Sequence, residues 1–238
     1  MKKRFSILIP LAGFLLMAIA FNACKKTTYT NSHTPVAGLM ALNLVPDSSA
    51  VGVTISGNNF TSTPLNYIDY TGAYREVNTG TRDVTFYNFS TGAALATTSQ
   101  LFADSAFYSA FLVGTTGNYK NVIVKDDFDS LTSASGQAYV RYVNAIPDST
   151  LLPTVTISSN GTNVFDSTST FPAISDFKGI TPGNIAISVN AESTVNVSRT
   201  ITVEQGKIYT ILLVGQPGAT DSTKAVQIKF IQNGQVTP

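Results

Sequence analysis

The feature that most constrains the fold of this chain is a short stretch that occurs twice. Residues 42–48 read Leu-Asn-Leu-Val-Pro-Asp-Ser, and residues 143–149 read Val-Asn-Ala-Ile-Pro-Asp-Ser. Each copy is an apolar segment that runs into a Pro-Asp-Ser turn. Self-similarity of this kind indicates copies of one structural unit, and overlooking it would misassign the whole fold. The sequence therefore predicts two tandem domains, the first over 36–130 and the second over 137–238.

Each copy has the pattern of a series of short strands. Residues 138–146 alternate in polarity, which predicts a half-buried strand. Asn160-Gly161 lies between two apolar runs, and this pair is typical of a β-hairpin because both residues tolerate positive φ. Residues 107–114 match 208–215 as near-continuous apolar strands. With about seven strands in each copy and no amphipathic helix, the sequence predicts an all-β chain of two tandem immunoglobulin-like β-sandwich domains.

The order of these segments resembles the family named domain of unknown function 4397. The resemblance is carried by a strand that ends in Pro-Asp-Ser, by Val-Thr-Ile-Ser, by an aromatic residue before a turn that ends in Gly, and by Tyr-Thr-Ile-Leu-Leu-Val-Gly. It covers both repeats. The family occurs in secreted and surface-anchored bacterial proteins, often in tandem, and in lipoproteins of Bacteroidetes, so the resemblance implies a fold and a location but no activity.

The N-terminus has the pattern of an export signal. A basic start, Met1-Lys2-Lys3-Arg4, precedes an apolar run from 5 to 21, which is typical of a signal peptide, here 1–23. Phe21-Asn22-Ala23-Cys24 resembles the lipobox of bacterial lipoproteins, which implies a lipid on Cys24 and a lipidated tether over 24–35. Two alternatives remain open: a retained membrane-spanning helix, which Pro10 and Gly13 disfavour, and an incidental or buried thiol at Cys24.

A lipid anchor would attach the protein to a membrane without spanning it. We expect a location at the outer membrane, on either the cell surface or the periplasmic face. Surface-exported lipoproteins of this group often carry acidic residues after the cysteine, whereas Lys25-Lys26 follow Cys24 here, so the periplasmic face stays open as an alternative. Removal of the three basic residues of the signal leaves 12 basic against 14 acidic residues. This balance offers no electrostatic attraction for nucleic acid. The predicted partners are the membrane, through the lipid, and a protein or a glycan.

Few side chains are suited to catalysis. The single histidine, His33, lies in the tether, and the single cysteine is assigned to the anchor. A nucleophile needs a base that a third group orients, and the sequence contains neither a Gly-x-Ser-x-Gly elbow nor a phosphate-binding glycine loop. We therefore predict that the protein is not an enzyme and uses no cofactor.

Three aspartates lie close together after the first repeat: Asp126, Asp127 and Asp129. Clustered carboxylates are ligands that Ca²⁺ prefers, so they form a weak candidate for a calcium site in a linker. The simpler interpretation, which we favour, is a solvated turn with Asx hydrogen bonds.

Tyr67 and Tyr70 form, with Tyr74, the most aromatic stretch of the first repeat. A tyrosine offers an apolar face and a hydroxyl group, so Tyr67 and Tyr70 are candidates for contact with a sugar or a protein partner. Alternatively, Tyr74 is a core residue, as its counterpart Phe177 suggests, and the other two are ordinary strand residues.

Five of the eleven aspartates precede a serine that is followed by Ala, Leu or Thr. This pattern is similar to the O-glycosylation signal of exported Bacteroidetes proteins. The candidate acceptors are Ser105, Ser130, Ser149, Ser167 and Ser222. The alternative is that Asp-Ser pairs simply favour turns.

Taken together, the sequence predicts a lipid-anchored cell-envelope protein that acts as a non-enzymatic binding or structural module. The alternative function is an accessory lipoprotein of an outer-membrane assembly for glycan or nutrient uptake.

Overall fold

The structure is a computed structural model that describes residues 33–132, 136–191 and 194–236. By their contacts, the described residues from 35 onward form one unit, which holds both repeats. The predicted signal peptide and Cys24 lie outside the described residues. Within the described ranges, no helix is long and apolar enough to cross a membrane.

The first repeat is a sandwich of two four-stranded sheets. Its strands are β1 Val36–Asn43, β2 Val51–Ile55, β3 Asn58–Asn59, β4 Arg75–Asn78, β5 Gly80–Asn88, β6 Ala94–Phe102, β7 Phe107–Val113 and β8 Lys120–Asp126. We call the sheet β4-β1-β7-β8 the inner sheet and the sheet β3-β2-β5-β6 the outer sheet. In the inner sheet β1 runs parallel to β7, while the other neighbours are antiparallel.

The second repeat has the same arrangement. Its strands are β9 Ala138–Asn144, β10 Thr154–Ser159, β11 Thr162–Thr168, β12 Ala173–Ile174, β13 Lys178–Ile180, β14 Gly183–Ala191, β15 Val195–Val203, β16 Lys207–Val214 and β17 Gln227–Gln235. The inner sheet is β12-β9-β16-β17, with β13 also paired to β9, and the outer sheet is β11-β10-β14-β15. Strand β9 runs parallel to β16, as β1 does to β7. The predicted all-β fold of two immunoglobulin-like sandwiches is confirmed.

One detail of the strand prediction was wrong. Strand β9 was predicted to be half-buried, yet all seven of its residues are buried. The reason is that its sheet is covered on both faces, which the alternation of residue types within β9 does not reveal.

Each sandwich has its own apolar core. One buried cluster lies between the two sheets of the first repeat, from Ala37 to Leu112, and another lies between those of the second, from Ala138 to Ile228. A third cluster contains residues of both repeats. It occupies the interface between the two inner sheets, which we call the seam. The four sheets are therefore stacked as outer, inner, inner, outer.

In both copies of the duplicated stretch, a buried asparagine is the last residue of the inner strand, Asn43 of β1 and Asn144 of β9. The amide of Asn144 donates from Nδ2 to the carbonyl oxygens of Ser169 and Thr170, at 3.3 and 2.9 Å, while its Oδ1 accepts from the backbone of Ile146. At the end of β1, Nδ2 of Asn43 donates to the carbonyl oxygens of Ser48 and Leu65, at 2.8 and 3.1 Å, and its Oδ1 accepts from the backbone of Val45. Because buried backbone groups need partners, each asparagine stabilises the chain where it leaves the inner sheet.

Candidate functional site

The seam is the feature that both repeats build together. Alternate residues of β1 and β7 point into the first core, and the residues between them point into the seam; β9 and β16 follow the same rule. The apolar residues of the seam are Met40, Leu42, Leu44, Phe111 and Val113 from the first repeat and Val143, Ala145, Leu212, Val214 and Ile231 from the second. All are buried, so the seam resembles the interior of a domain more than a contact between separate domains.

A buried ion pair lies within this apolar surround. Nη1 of Arg141, on β9, donates to Oδ1 of Asp126, at the end of β8, over 2.5 Å. The side chains are 3% and 0% exposed, respectively. Nη2 of Arg141 also donates to the hydroxyl of Ser109 on β7, over 3.0 Å, and Ser109 donates to Asp126 Oδ2 over 2.7 Å. The pair therefore crosses the seam and joins the two inner sheets.

Three further side chains complete the hydrogen bonding. The hydroxyl of Tyr74 donates to Asp126 Oδ2 over 2.6 Å and accepts from Nδ2 of Asn233 over 3.1 Å. Nε of Arg141 donates to Thr210, which donates to Oδ1 of Asn233 over 2.6 Å. Burial raises the pKa of Tyr74, and the neighbouring carboxylate of Asp126 raises it further. We call these six residues the seam network: Tyr74, Ser109, Asp126, Arg141, Thr210 and Asn233.

Each repeat contributes three residues to the seam network. Asn233 is an extra residue at a β-bulge of β17, because Gly234 pairs with Ile208 while Gln232 pairs with Tyr209. Every polar group of Asp126 that faces the seam is bonded to a donor. Such a closed network holds two surfaces in one register rather than presenting a reactive group.

Sequence reasoning missed the seam network. Arg141 occupies the position in the second copy of the duplicated stretch that Met40 occupies in the first. A charged residue in the middle of an otherwise apolar strand was the available signal. Asp126 was placed in a linker, but it is the last residue of β8, and this is the correction that brings it to Arg141.

An aromatic cluster covers the network on one side. Tyr74 meets Phe107 and Phe128 edge to face, with ring centroids 5.2 and 5.6 Å apart. Phe128 also packs against the ring of Phe177. The guanidinium of Arg141 lies over the ring of Phe177, with 4.3 Å between its Cζ atom and the ring centroid. Phe128 belongs to the segment between the repeats, so this segment also packs on the seam.

A groove of about 430 Å³ opens beside this cluster. Its lining includes the ring of Phe107 from the first repeat, the ring of Phe128 from the segment between the repeats, and Ile208 and Gly234 from the second repeat. Phe107 is 40% exposed. A Cβ added to Gly234 would meet no atom within 4 Å, and the backbone there does not require glycine. The exposed side chains of Asp129 and Gln235 border the groove.

The predicted ligand-contact tyrosines lie in the seam. Tyr67 and Tyr70 are both partly buried against its apolar cluster, in the connection between β3 and β4. Burial raises the pKa of Tyr67 to about 12, and its buried hydroxyl has no hydrogen-bond partner among the described residues. Tyr74, predicted as a core residue, is partly buried and belongs to the seam rather than to the core of its own sandwich.

The three aspartates of the weak calcium candidate lie in different environments. Asp126 is buried and bound to Arg141, whereas Asp127 and Asp129 are exposed. Among the described residues, no group of three or more histidine, cysteine, aspartate or glutamate side chains is arranged to hold a metal ion. The geometry gives the calcium hypothesis no support.

All five candidate glycosylation serines are exposed: Ser105, Ser130, Ser149, Ser167 and Ser222. Two of them lie in turns with identical hydrogen bonds. Oδ1 of Asp148 accepts from the hydroxyl and the backbone of Thr150, and Oδ1 of Asp221 accepts from the same groups of Thr223. These bonds, first those from the threonine hydroxyls, lower the pKa of both aspartates. At these two sites the Asp-Ser motif forms a turn and also leaves its serine exposed, so the turn does not conflict with glycosylation.

The fold and the seam define a class of protein built from two tandem β-sandwiches that share an interface. Residues 37–152 and 138–236 each match the family described as "Domain of unknown function (DUF4397)". The chain belongs to this family, with two copies of its domain, as the resemblance of the sequence implied. A search of curated proteins found no match.

Proposed function

We propose that this protein is a lipid-anchored component of the cell envelope that acts as a non-enzymatic binding and structural module. The observation that carries the proposal is the seam. A buried apolar interface with a closed polar network holds two sandwiches in one fixed arrangement, and a surface composed of both repeats is then preorganised for a partner. The export signal and Cys24 of the sequence support the location.

The anchor is tested by metabolic labelling with an alkyne-bearing fatty acid. We expect the full-length chain to incorporate the label and to fractionate with the outer membrane, whereas the Cys24→Ser variant loses both properties. Protease treatment of intact cells then distinguishes the cell surface from the periplasmic face. Labelling that persists in Cys24→Ser would contradict lipidation at this residue.

We also propose that the five exposed Asp-Ser serines carry O-linked glycans. The intact mass of protein from its native host should exceed that of the lipidated chain by whole sugar units. A matched variant in which Ser149 and Ser222 become Ala should lose the units attached at these two turns. A mass equal to that of the lipidated chain alone would remove this part of the proposal.

Partner capture tests the binding role. The native protein is cross-linked in intact cells, and the captured material is compared with that of Cys24→Ser. We expect envelope proteins or envelope glycans to be enriched with the anchored protein. Enrichment of an outer-membrane transporter would favour the accessory uptake function instead, and capture of no envelope component would contradict a binding role.

A further inference from the structure

The groove beside the seam network combines two properties that the fold itself does not require. Its wall contains the ring of Phe107, which is 40% exposed although other rings surround it. Gly234 also lines the groove, and it is a strand glycine whose missing side chain leaves open space. A glycine within a strand often marks a place where another molecule approaches the backbone closely.

The position of the groove is also typical of a binding site. Ligand pockets occur preferentially at interfaces between domains and measure roughly 300–1,000 Å³, and this groove of about 430 Å³ takes residues from both repeats. Its walls are held in place, because Phe107 and Phe128 pack on each other and on Tyr74. Tyr74 is in turn fixed by Asp126 and Asn233.

The lining defines the chemistry of a ligand. The exposed ring of Phe107 needs a ligand with an apolar face, and the carboxylate of Asp129 needs hydroxyl or amide donors at the border. The charge of Asp129 disfavours an anionic ligand. The neighbouring Lys207 donates to Gln235 Oε1 over 2.7 Å, which leaves the amide nitrogen of Gln235 as a donor. An apolar face combined with peripheral hydroxyl groups is the chemistry of a neutral pyranose ring.

We propose that the groove binds one ring of a neutral glycan, with the face of the sugar against Phe107 and its hydroxyl groups on Asp129 and Gln235. This inference rests on the proposed binding function and names the class of its ligand. The sugar ring fills the space above Gly234, and the seam network keeps the two halves of the groove at a constant distance.

The test uses the full-length chain in a sugar-free detergent. The probes are the neutral hexasaccharides maltohexaose, cellohexaose and chitohexaose, with hexagalacturonate as an acidic probe. Binding is measured by saturation-transfer-difference NMR and by titration calorimetry. We expect at least one neutral probe to bind at millimolar concentration and the acidic probe to bind at least tenfold more weakly.

Two variants place the ligand in the groove. Gly234→Val fills the open space with a residue that suits a strand, and it should weaken binding at least tenfold. Asp129→Ala removes an exposed acceptor and should weaken binding several-fold. Ala94→Val, which adds a similar side chain to the exposed surface of β6, is the matched control and should bind as the parent does. Circular dichroism and melting curves verify that each variant is folded.

The proposal is overturned if no neutral probe binds, if hexagalacturonate binds as tightly as the neutral probes, or if folded Gly234→Val retains the affinity of the parent. These results are independent of the location. Failure of fatty-acid labelling would contradict the proposed anchor and leave glycan binding intact, whereas failure of glycan binding would leave the anchored module in place.

Discussion

Arg141 and Met40 occupy the same position of the two repeats, yet they contribute to the seam in opposite ways. Met40 adds to the apolar cluster, while Arg141 requires Asp126, Ser109 and Thr210 as partners. Breaking a buried ion pair by removing one partner is costly because it leaves an uncompensated charge, whereas replacing both partners by apolar residues is often neutral. The effect of substitutions in the seam network should therefore depend on whether both partners are changed.

Either Arg141→Met or Asp126→Leu alone should lower the free energy of unfolding by about 3–5 kcal/mol, and the double variant should recover most of that loss. Urea unfolding of the parent, the two single variants and the double variant measures this coupling. Additive losses in the double variant would mean that the two residues act separately.

Two tyrosines of the seam should respond oppositely to loss of their hydroxyl group. The hydroxyl of Tyr67 is buried without a partner among the described residues, so Tyr67→Phe should raise the free energy of unfolding by about 1 kcal/mol. Tyr74 bonds to Asp126 and Asn233, so Tyr74→Phe should lower it by about 1–3 kcal/mol. The midpoints of urea unfolding measure both changes. A change of the same sign in the two variants would contradict the different hydrogen bonding of the two hydroxyl groups.

The raised pKa of Tyr67 also predicts a loss of stability in alkali. The folded chain holds this phenolic proton up to a pKa of about 12, while the unfolded chain releases it near about 10. The stabilisation is complete below about pH 10 and is lost as the pH rises through about 12. Tyrosinate absorbance and circular dichroism followed across this interval should change together, and the loss should be smaller in Tyr67→Phe.

At the scale of the elements, the connections from β7 to β8 and from β16 to β17 both begin with a glycine. Gly114 and Gly215 end β7 and β16 with φ of +107° and +104°, a region that a side chain disfavours. A Cβ at either position would also collide with a backbone carbonyl, that of Asn118 or that of Ala225. The turn geometry of both repeats therefore requires glycine for two separate reasons.

Gly215→Ala should therefore lower the free energy of unfolding by more than the cost of placing a side chain at positive φ. Gly218 lies in the same connection with φ of +72° and open space around it, so Gly218→Ala measures that penalty, roughly 1–2 kcal/mol. The collision at Gly215 adds to this value, and we expect the loss for Gly215→Ala to be about twice as large. Thermal and urea unfolding compare the two variants, and equal losses would show that the backbone relieves the collision.

At the scale of the whole molecule, the seam makes two domains depend on each other. Each sandwich has its own core, yet its inner sheet has a second apolar face that the partner repeat covers. Separation of the repeats would expose both faces and the ion pair to water at once. Unfolding of one repeat should therefore destabilise the other.

Calorimetry should show one cooperative transition for the parent chain, with equal calorimetric and van't Hoff enthalpies. Leu212→Asp places a charge in the apolar part of the seam, where Leu212 is fully buried, and should divide the transition into two. Leu101→Asp, at an exposed position of β6, is the control and should retain a single transition. Two transitions in the parent would indicate that the seam does not couple the repeats.

The sequence allowed the repeats, the strand-rich fold and most strands to be predicted, because these depend on local patterns. The Asn160-Gly161 hairpin is an example: both residues have positive φ, 51° and 78°, at the turn between β10 and β11. The candidate site was less accessible to prediction. Tyr67 and Tyr70 stand out in the sequence by residue type alone, and their packing against the seam depends on the other repeat. Asp126 was assigned to a linker because its partner lies in the other repeat.

The duplicated stretch at the ends of β1 and β9 separates what the sequence determines from what only the tertiary structure decides. The sequence by itself determined that two similar sandwiches would form, since alternation, turn residues and buried asparagines act within one repeat. Only the tertiary structure decided that the two inner sheets face each other. That contact depends on which side chains of β1, β7, β9 and β16 point away from their own core, and on Arg141 finding Asp126 across the seam.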